Sequence, residues 1–201
     1  EKKSFEIIKG ELGEEFVSRY PADALPVLCR VIHTTADFSY RDTLTITEGA
    51  IGLAKEAIHR GLPIITDTTM AASGINKTAA RKFGIDVHCF IGDEDVKEAA
   101  KASGMTRSAV SAEKAARLYP ECIYAVGNAP TALMRLYELI EEKKIRPALI
   151  IGVPVGFVNV VEAKELILRT DVPAIVARGR KGGSNIAAAI CNALLYEAGG
   201  R

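Results

Sequence analysis

The stretch from Ile123 to Val158 constrains the fold more than any other part of the chain. An apolar run, Ile123 to Val126, stops at Gly127-Asn128. A helical pattern follows, with Pro130 in its first turn and Leu133, Leu136, Tyr137 and Ile140 on one face. A second apolar run, Ala148 to Ile151, stops at Gly152-Val153-Pro154-Val155-Gly156. Continuous apolar strands joined by a helix imply a parallel sheet covered on both faces. Open sheets of this kind bind ligands outside the carboxyl ends of their strands, so the two glycine turns mark the side on which to look for chemistry.

The same alternation recurs from residue 62 onward. Short apolar runs at 63–66, 87–91, 123–126, 148–151 and 173–176 each end in a polar or Gly-rich turn followed by helical sequence. The longest insert, 93–121, holds two helical stretches split at Ser103-Gly104. The pattern predicts an α/β fold: a three-layer, flavodoxin-like sandwich with a five-stranded parallel sheet, helices on both faces and extra N-terminal helices. The 201 residues are expected to form one domain, with a helical segment over 1–61 ahead of an α/β core over 62–201. Ser4 is expected to cap the first helix, weakened by Gly10 and Gly13, and Asp23 a second. A third helix opens at Thr47-x-x-Ala50 and ends at His59-Arg60-Gly61.

Composition narrows the function classes. A net charge of +1 favours neither nucleic acid nor an acidic partner. The uncharged run 147–161, which no other exceeds in length, is shorter than the ~20 residues of a membrane helix and is interrupted by Gly and Pro. Cys29, Cys89, Cys122 and Cys191 are widely spaced and form no CxxC pair, and no apolar signal region follows the first charges. A cytosolic chain without a structural metal is expected.

Candidate chemistry lies in the turns. Arg178-Gly179-Arg180-Lys181-Gly182-Gly183-Ser184-Asn185 combines cations, backbone amides and a Ser/Asn cap before the last helix, a pattern that favours anions. Composition weighs equally for a flexible basic loop. Thr106-Arg107-Ser108 is a helix cap beside an arginine able to fork a carboxylate, although a plain cap with a solvated arginine is the simpler reading. Neither glycine turn matches GxGxxG, and no GxxxxGK[ST] occurs, which disfavours a nucleotide. Of the three histidines, His59 suits a helix end and His88 a packed strand. His33 stands where a helix yields to a Thr-rich turn, a position open to a cleft and to acid–base work. The residues alone imply a small ligand bearing several carboxylates or phosphates, and name no reaction.

Gly127-Asn128-Ala129-Pro130-Thr131-Ala132-Leu133, Gly152 to Val158, and Arg178 to Ser184 resemble the precorrin-8X methylmutase family of corrin biosynthesis. Ser4-Phe5-x-Ile7-Ile8, Arg30-Val31-Ile32-His33, Asp67-x-x-Met70-x-x-x-Gly74-Ile75 and Thr106-Arg107-Ser108 continue the resemblance in the family's order. Residues 159–164, Asn-Val-Val-Glu-Ala-Lys, depart from the family's small-residue run ending in Glu-Ser-Lys.

The resemblance implies an isomerase that moves a methyl group from C11 to C12 of precorrin-8 or its cobalt form, giving hydrogenobyrinate or cobyrinate. It makes His33 the proton donor and acceptor, and Ser4 and Arg107 substrate contacts. Ser108, Thr34, Met70, Gly127, Asn128, Thr131, Gly152, Gly156, Arg178, Gly182, Gly183 and Ser184 complete the candidate substrate-binding set. No cofactor is implied, since any cobalt is carried by the substrate. The implied partners are a carboxylate-rich corrinoid and a second copy of the chain, with no nucleic acid and no membrane. The same turns would also suit a non-catalytic carrier of the pathway product, for which His33 would be dispensable.

Overall fold

A computed structural model describes residues 1–200. The chain opens with α1 (Lys2–Leu12), α2 (Glu14–Arg19), α3 (Leu25–Thr35), α4 (Tyr40–Thr43), β1 (Leu44–Ile46) and α5 (Ala50–His59). It continues as β2 (Ile64–Thr66), α6 (Thr69–Gly74), α7 (Lys77–Arg81), β3 (Val87–His88), α8 (Glu94–Ser103), α9 (Arg107–Leu118) and β4 (Ile123–Val126). The last elements are α10 (Pro130–Glu141), β5 (Leu149–Gly152), α11 (Val160–Ile167), β6 (Ala174–Ala177) and α12 (Ser184–Ala198).

The fold is α/β, with a mixed sheet in the order β1-β6-β5-β4-β2-β3. Strands β2 to β6 pair parallel, in register Ile64 to Ile123, Ile123 to Leu149 and Ile150 to Ala174. The expected five-stranded parallel sheet is corrected by β1, which pairs antiparallel with β6 and sets Leu44 opposite Ala177. Three residues between threonines carry too little periodicity to announce a strand.

Each parallel strand feeds two cores, as the period of two requires. Ile64, Ile123, Ala125, Leu149, Ile151 and Ile175 join the core beneath α3, α5 and α12. Ile65, Tyr124, Val126, Ile150, Ala174 and Val176 join the other, beneath α10 and α11. The segment before residue 62 is neither purely helical nor peripheral: it supplies β1, and Val27, Leu28, Val31 and Ile32 of α3 are buried in the first core.

Two expected caps fall elsewhere. Ser4 lies inside α1, which starts after Glu1, and α3 starts after Ala24 with no side-chain cap from Asp23. Gly13 ends α1 outright, so Phe16 belongs to a separate helix. Thr106 does cap α9, accepting the Ala109 amide at 3.2 Å.

Candidate active site

Because β2 to β6 run the same way, the turns after all five strands share one rim. The strand order places a switch point between β2 and β4, where an open sheet ordinarily leaves a crevice for a ligand anion. Here the chain fills that crevice itself. The buried Asp67 carboxylate accepts the amides of Gly127, Asn128 and Ala129, each at 2.8 Å. Burial pushes this carboxyl up, while the three amides favour its charge and pull it back. The Gly127 turn therefore does not offer its amides to a ligand.

The neighbouring turns are closed against one another in the same way. A Cβ on Gly127 would sit 2.6 Å from Ser184 Cα, and one on Gly182 would overlap the carbonyl of Val153. The Gly183 amide donates to Val153 O at 2.8 Å, and the Gly156 amide to Arg180 O at 3.2 Å. Ser184 does not cap α12 with its side chain; its hydroxyl shares a 2.7 Å bond with Thr68. Gly127, Gly152, Gly156, Gly182 and Gly183 thus build a tight wall whose amides at 127, 156 and 183 are already engaged.

What that wall turns outward is apolar and cationic. Met70, Val155, Phe157 and Val158 are exposed, Phe157 to 82%. Met70 follows β2 and Phe157 follows β5, two strand spacings or about 10 Å across the sheet. Arg180 lies 5.5 Å over the Phe157 ring. Arg107, in the first turn of α9 with Ser108 beside it, is exposed and has no ion-pair partner among the described residues. Thr106 donates to Thr131 at 2.9 Å, which fastens the starts of α9 and α10 together next to Asn128. Arg178 is paired with Glu165 at 2.8 and 2.7 Å, so its charge on the rim is already partly matched.

His33 sits in the last turn of α3, exposed, its ring set edge-on to that of Phe5 on α1 with 5.7 Å between the ring centroids. Ser4 precedes that phenylalanine and is half-buried. The Thr34 hydroxyl is turned back onto Arg30 O at 2.9 Å. Arg30 in turn is paired with Glu1 and stacked on Phe5 and Tyr196, which fastens α1 over α3.

The turn after His33 is fixed by several bonds. Ala36 adopts φ 54°, a left-handed conformation that costs a non-glycine residue about 1 kcal/mol. Asp37 accepts Lys181 Nζ at 2.6 Å and the Ser39 amide at 2.9 Å. The bond to Lys181, then those to Ser39, hold the Asp37 carboxyl down at about 2. This latch joins the turn that follows α3, the helix carrying His33, to the turn after β6. His59 packs edge-on against Phe83, and His88 stacks on Tyr119 at 4.8 Å, both structural placements.

Among the described residues no cluster of His, Cys, Asp and Glu could hold a metal ion, and no helix is long and apolar enough to cross a membrane. Sequence reasoning missed Asp67 and the partner of Asp37. A single acid at a strand end carries no periodic signal, and Asp37 and Lys181 lie 144 residues apart.

A family model described as precorrin-8X methylmutase matches residues 1–197. The chain is 44% identical to a cobalt-precorrin-8 methylmutase of Leptospira interrogans, covering 97% of this chain and 91% of that one. It is 36% identical to a precorrin-8X methylmutase of Pseudomonas aeruginosa, covering 98% and 93%. A solved precorrin-8X methylmutase from Thermus thermophilus superposes with a TM-score of 0.89 at 37% identity, covering 99% of this chain and 96% of that one.

Proposed function

This chain belongs to the precorrin-8X methylmutase family, and on that premise we propose that His33 is the acid and base of its reaction at the carboxyl rim of the sheet. The enzyme is an isomerase of cobalamin biosynthesis. Its substrate is read as precorrin-8 or the cobalt form, with the methyl group moving from C11 to C12. His33 donates a proton to a ring nitrogen near the migrating methyl. The protonated nitrogen draws electron density from the adjacent carbons, and the methyl migrates with its bonding pair. The imidazole then takes a proton back, so no oxidant or reductant is consumed and no cofactor is required.

The single observation that carries this reading is the Asp37–Lys181 latch, which ties the turn after His33 to the rim where Arg107 and Arg180 have no carboxylate partner among the described residues. A corrinoid is an apolar ring edged with acetates and propionates. Met70, Val155 and Phe157 suit its face, and Arg107, Ser108, Thr131 and Ser4 its edge. Strands β2 to β6, taken in chain order, lie 2-1-3-4-5 across the sheet, which supports a flavodoxin-like description. The exposed Phe157 and Val158 also suit a homodimer with the ligand near its interface. A cytoplasmic location fits the four free cysteines.

Converting His33→Ala and following methyl migration tests the proposal. Turnover should fall by ~10²–10⁴-fold, the range of general acid–base catalysis, while corrinoid binding is kept. Migration at the wild-type rate would remove His33 from the chemistry and leave the protein's binding surface alone to explain the reaction.

A further inference from the structure

Helix α11 buries Val160, Ala163, Lys164 and Ile167, the i, i+3, i+4, i+7 stripe of a core-facing helix. The third member of that stripe is a lysine with no exposed surface. Its ammonium donates to Gly179 O at 2.8 Å and Lys181 O at 2.9 Å, both in the turn after β6. No carboxylate lies within ion-pair distance of it among the described residues.

Every element packed on Lys164 leaves this charge unmatched. Strands β5 and β6 carry no ionisable side chain. Helix α10 contributes Leu133, Leu136 and Leu139 to the shared core, and its Arg135 is held by Glu113 and Glu138. Glu165, next along α11, is engaged by Arg178, and Asp37 by Lys181, which leaves Arg180 as a second cation without a carboxylate partner among the described residues. Burying an ammonium without a counter-ion is costly, and a shape-matched apolar residue would avoid that cost. Retaining one beneath an anion-friendly turn calls for a counter-ion that arrives from outside.

We propose that Lys164 is a positioning residue for the ligand's carboxylates: its ammonium holds the 178–183 turn in shape from beneath, and a carboxylate seated on that turn supplies the missing counter-charge. It acts through the turn and does not touch the reacting atoms. Burial alone pulls its pKa down to about 8, so the free enzyme loses this charge in mildly alkaline solution and the bound ligand should restore it. The inference rests on the corrinoid reading above and adds one carboxylate subsite to it.

Visible-absorption titration of hydrogenobyrinic acid into the full chain and into Lys164→Met, between about pH 6.5 and about pH 9.5, tests it. The wild-type Kd should weaken by about tenfold across that range, as the ammonium deprotonates. The variant should bind about tenfold more weakly at pH 7, with no further loss on the alkaline side, and its migration rate at saturation should stay within about threefold of wild type. A variant with the wild-type Kd and pH profile overturns the proposal. Should Lys164→Met fail to fold, ¹³C-labelled lysine spectra of the wild type decide: the lowest-titrating lysine should move up by about one pH unit or more with hydrogenobyrinic acid bound. An unmoved midpoint overturns it. Failure of the wild type to bind hydrogenobyrinic acid removes the corrinoid reading and this inference together, whereas wild-type binding with an unaffected variant removes this inference alone.

Discussion

The two ends of the sheet differ in how their charges are matched. At the amino end a groove of about 1050 Å³ passes Pro120, Ile145 and Pro173. Four cationic and four acidic side chains line it, Arg60, Lys143, Lys144 and Arg146 against Glu56, Glu121, Glu141 and Asp171. The Arg60–Glu121 pair closes at 2.6 Å and Lys144 meets Glu142 at 2.7 Å. At the carboxyl end Arg107 and Arg180 lack carboxylate partners among the described residues, and Met70 and Phe157 are exposed on the same rim. Volume alone marks a place for water. Unmatched cations beside exposed apolar surface mark a place for an apolar ligand edged with acids, and strand direction favours the same end.

The largest expected effect is on the glycine wall of the carboxyl end. Gly182→Ala drives a methyl into the carbonyls of Val153 and Pro154. It should cost about 3 kcal/mol and lower the melting temperature by roughly 6–12 °C in thermal unfolding. An unchanged melting temperature would mean that the turns can move apart, and the contrast between a fixed rim and a solvated groove would weaken.

Next comes a paired test of the charges. Arg107→Ala should weaken hydrogenobyrinic acid binding by ~10–100-fold, the worth of a charged hydrogen bond, with a smaller effect on the bound reaction. Arg146→Ala in the amino-end groove should leave the same Kd within about twofold. Equal losses in both variants would erase the distinction between the two ends.

The smallest effect concerns the latch. Asp37→Asn should cost about 0.5–1 kcal/mol at neutral pH, because Lys181 is more than half exposed and water screens the pair. The folded carboxyl titrates below its ordinary value of 3.8, at about 2. Its contribution is therefore complete above pH 4 or so, and is lost as pH falls through that window. Acid unfolding of wild type and variant should converge there, and a constant gap down to about pH 2 would show that the stabilisation is not the carboxylate's.

How much of this was legible in the sequence follows from how local each signal is. The parallel strands, the split insert at Ser103-Gly104 and the Thr106 cap rest on contiguous patterns, and the structure places them where the patterns put them. Strand β1 was illegible because the alternation Thr43-Leu44-Thr45-Ile46-Thr47 is too short to stand out from the helical sequence around it. The resemblance put Gly127 and Asn128 in the substrate-binding set, yet their amides close on Asp67, 60 residues upstream of Gly127, a pairing visible only after β2 and β4 align. The lysine in the apolar stripe of α11 was readable in principle, since its spacing matches Val160, Ala163 and Ile167. Helical lysines usually face water, and only the folded β6 turn shows why this one does not.

The central claim is that the ring sits on the carboxyl rim within reach of His33. A crystal structure of the enzyme with hydrogenobyrinic acid tests it directly. The ring should lie across Met70 and Phe157, with its carboxylates at Arg107 and the 178–183 turn and the His33 imidazole within about 3 Å of a ring nitrogen. A ring lodged in the amino-end groove, or one that leaves His33 beyond hydrogen-bond reach of any ring nitrogen, would contradict it.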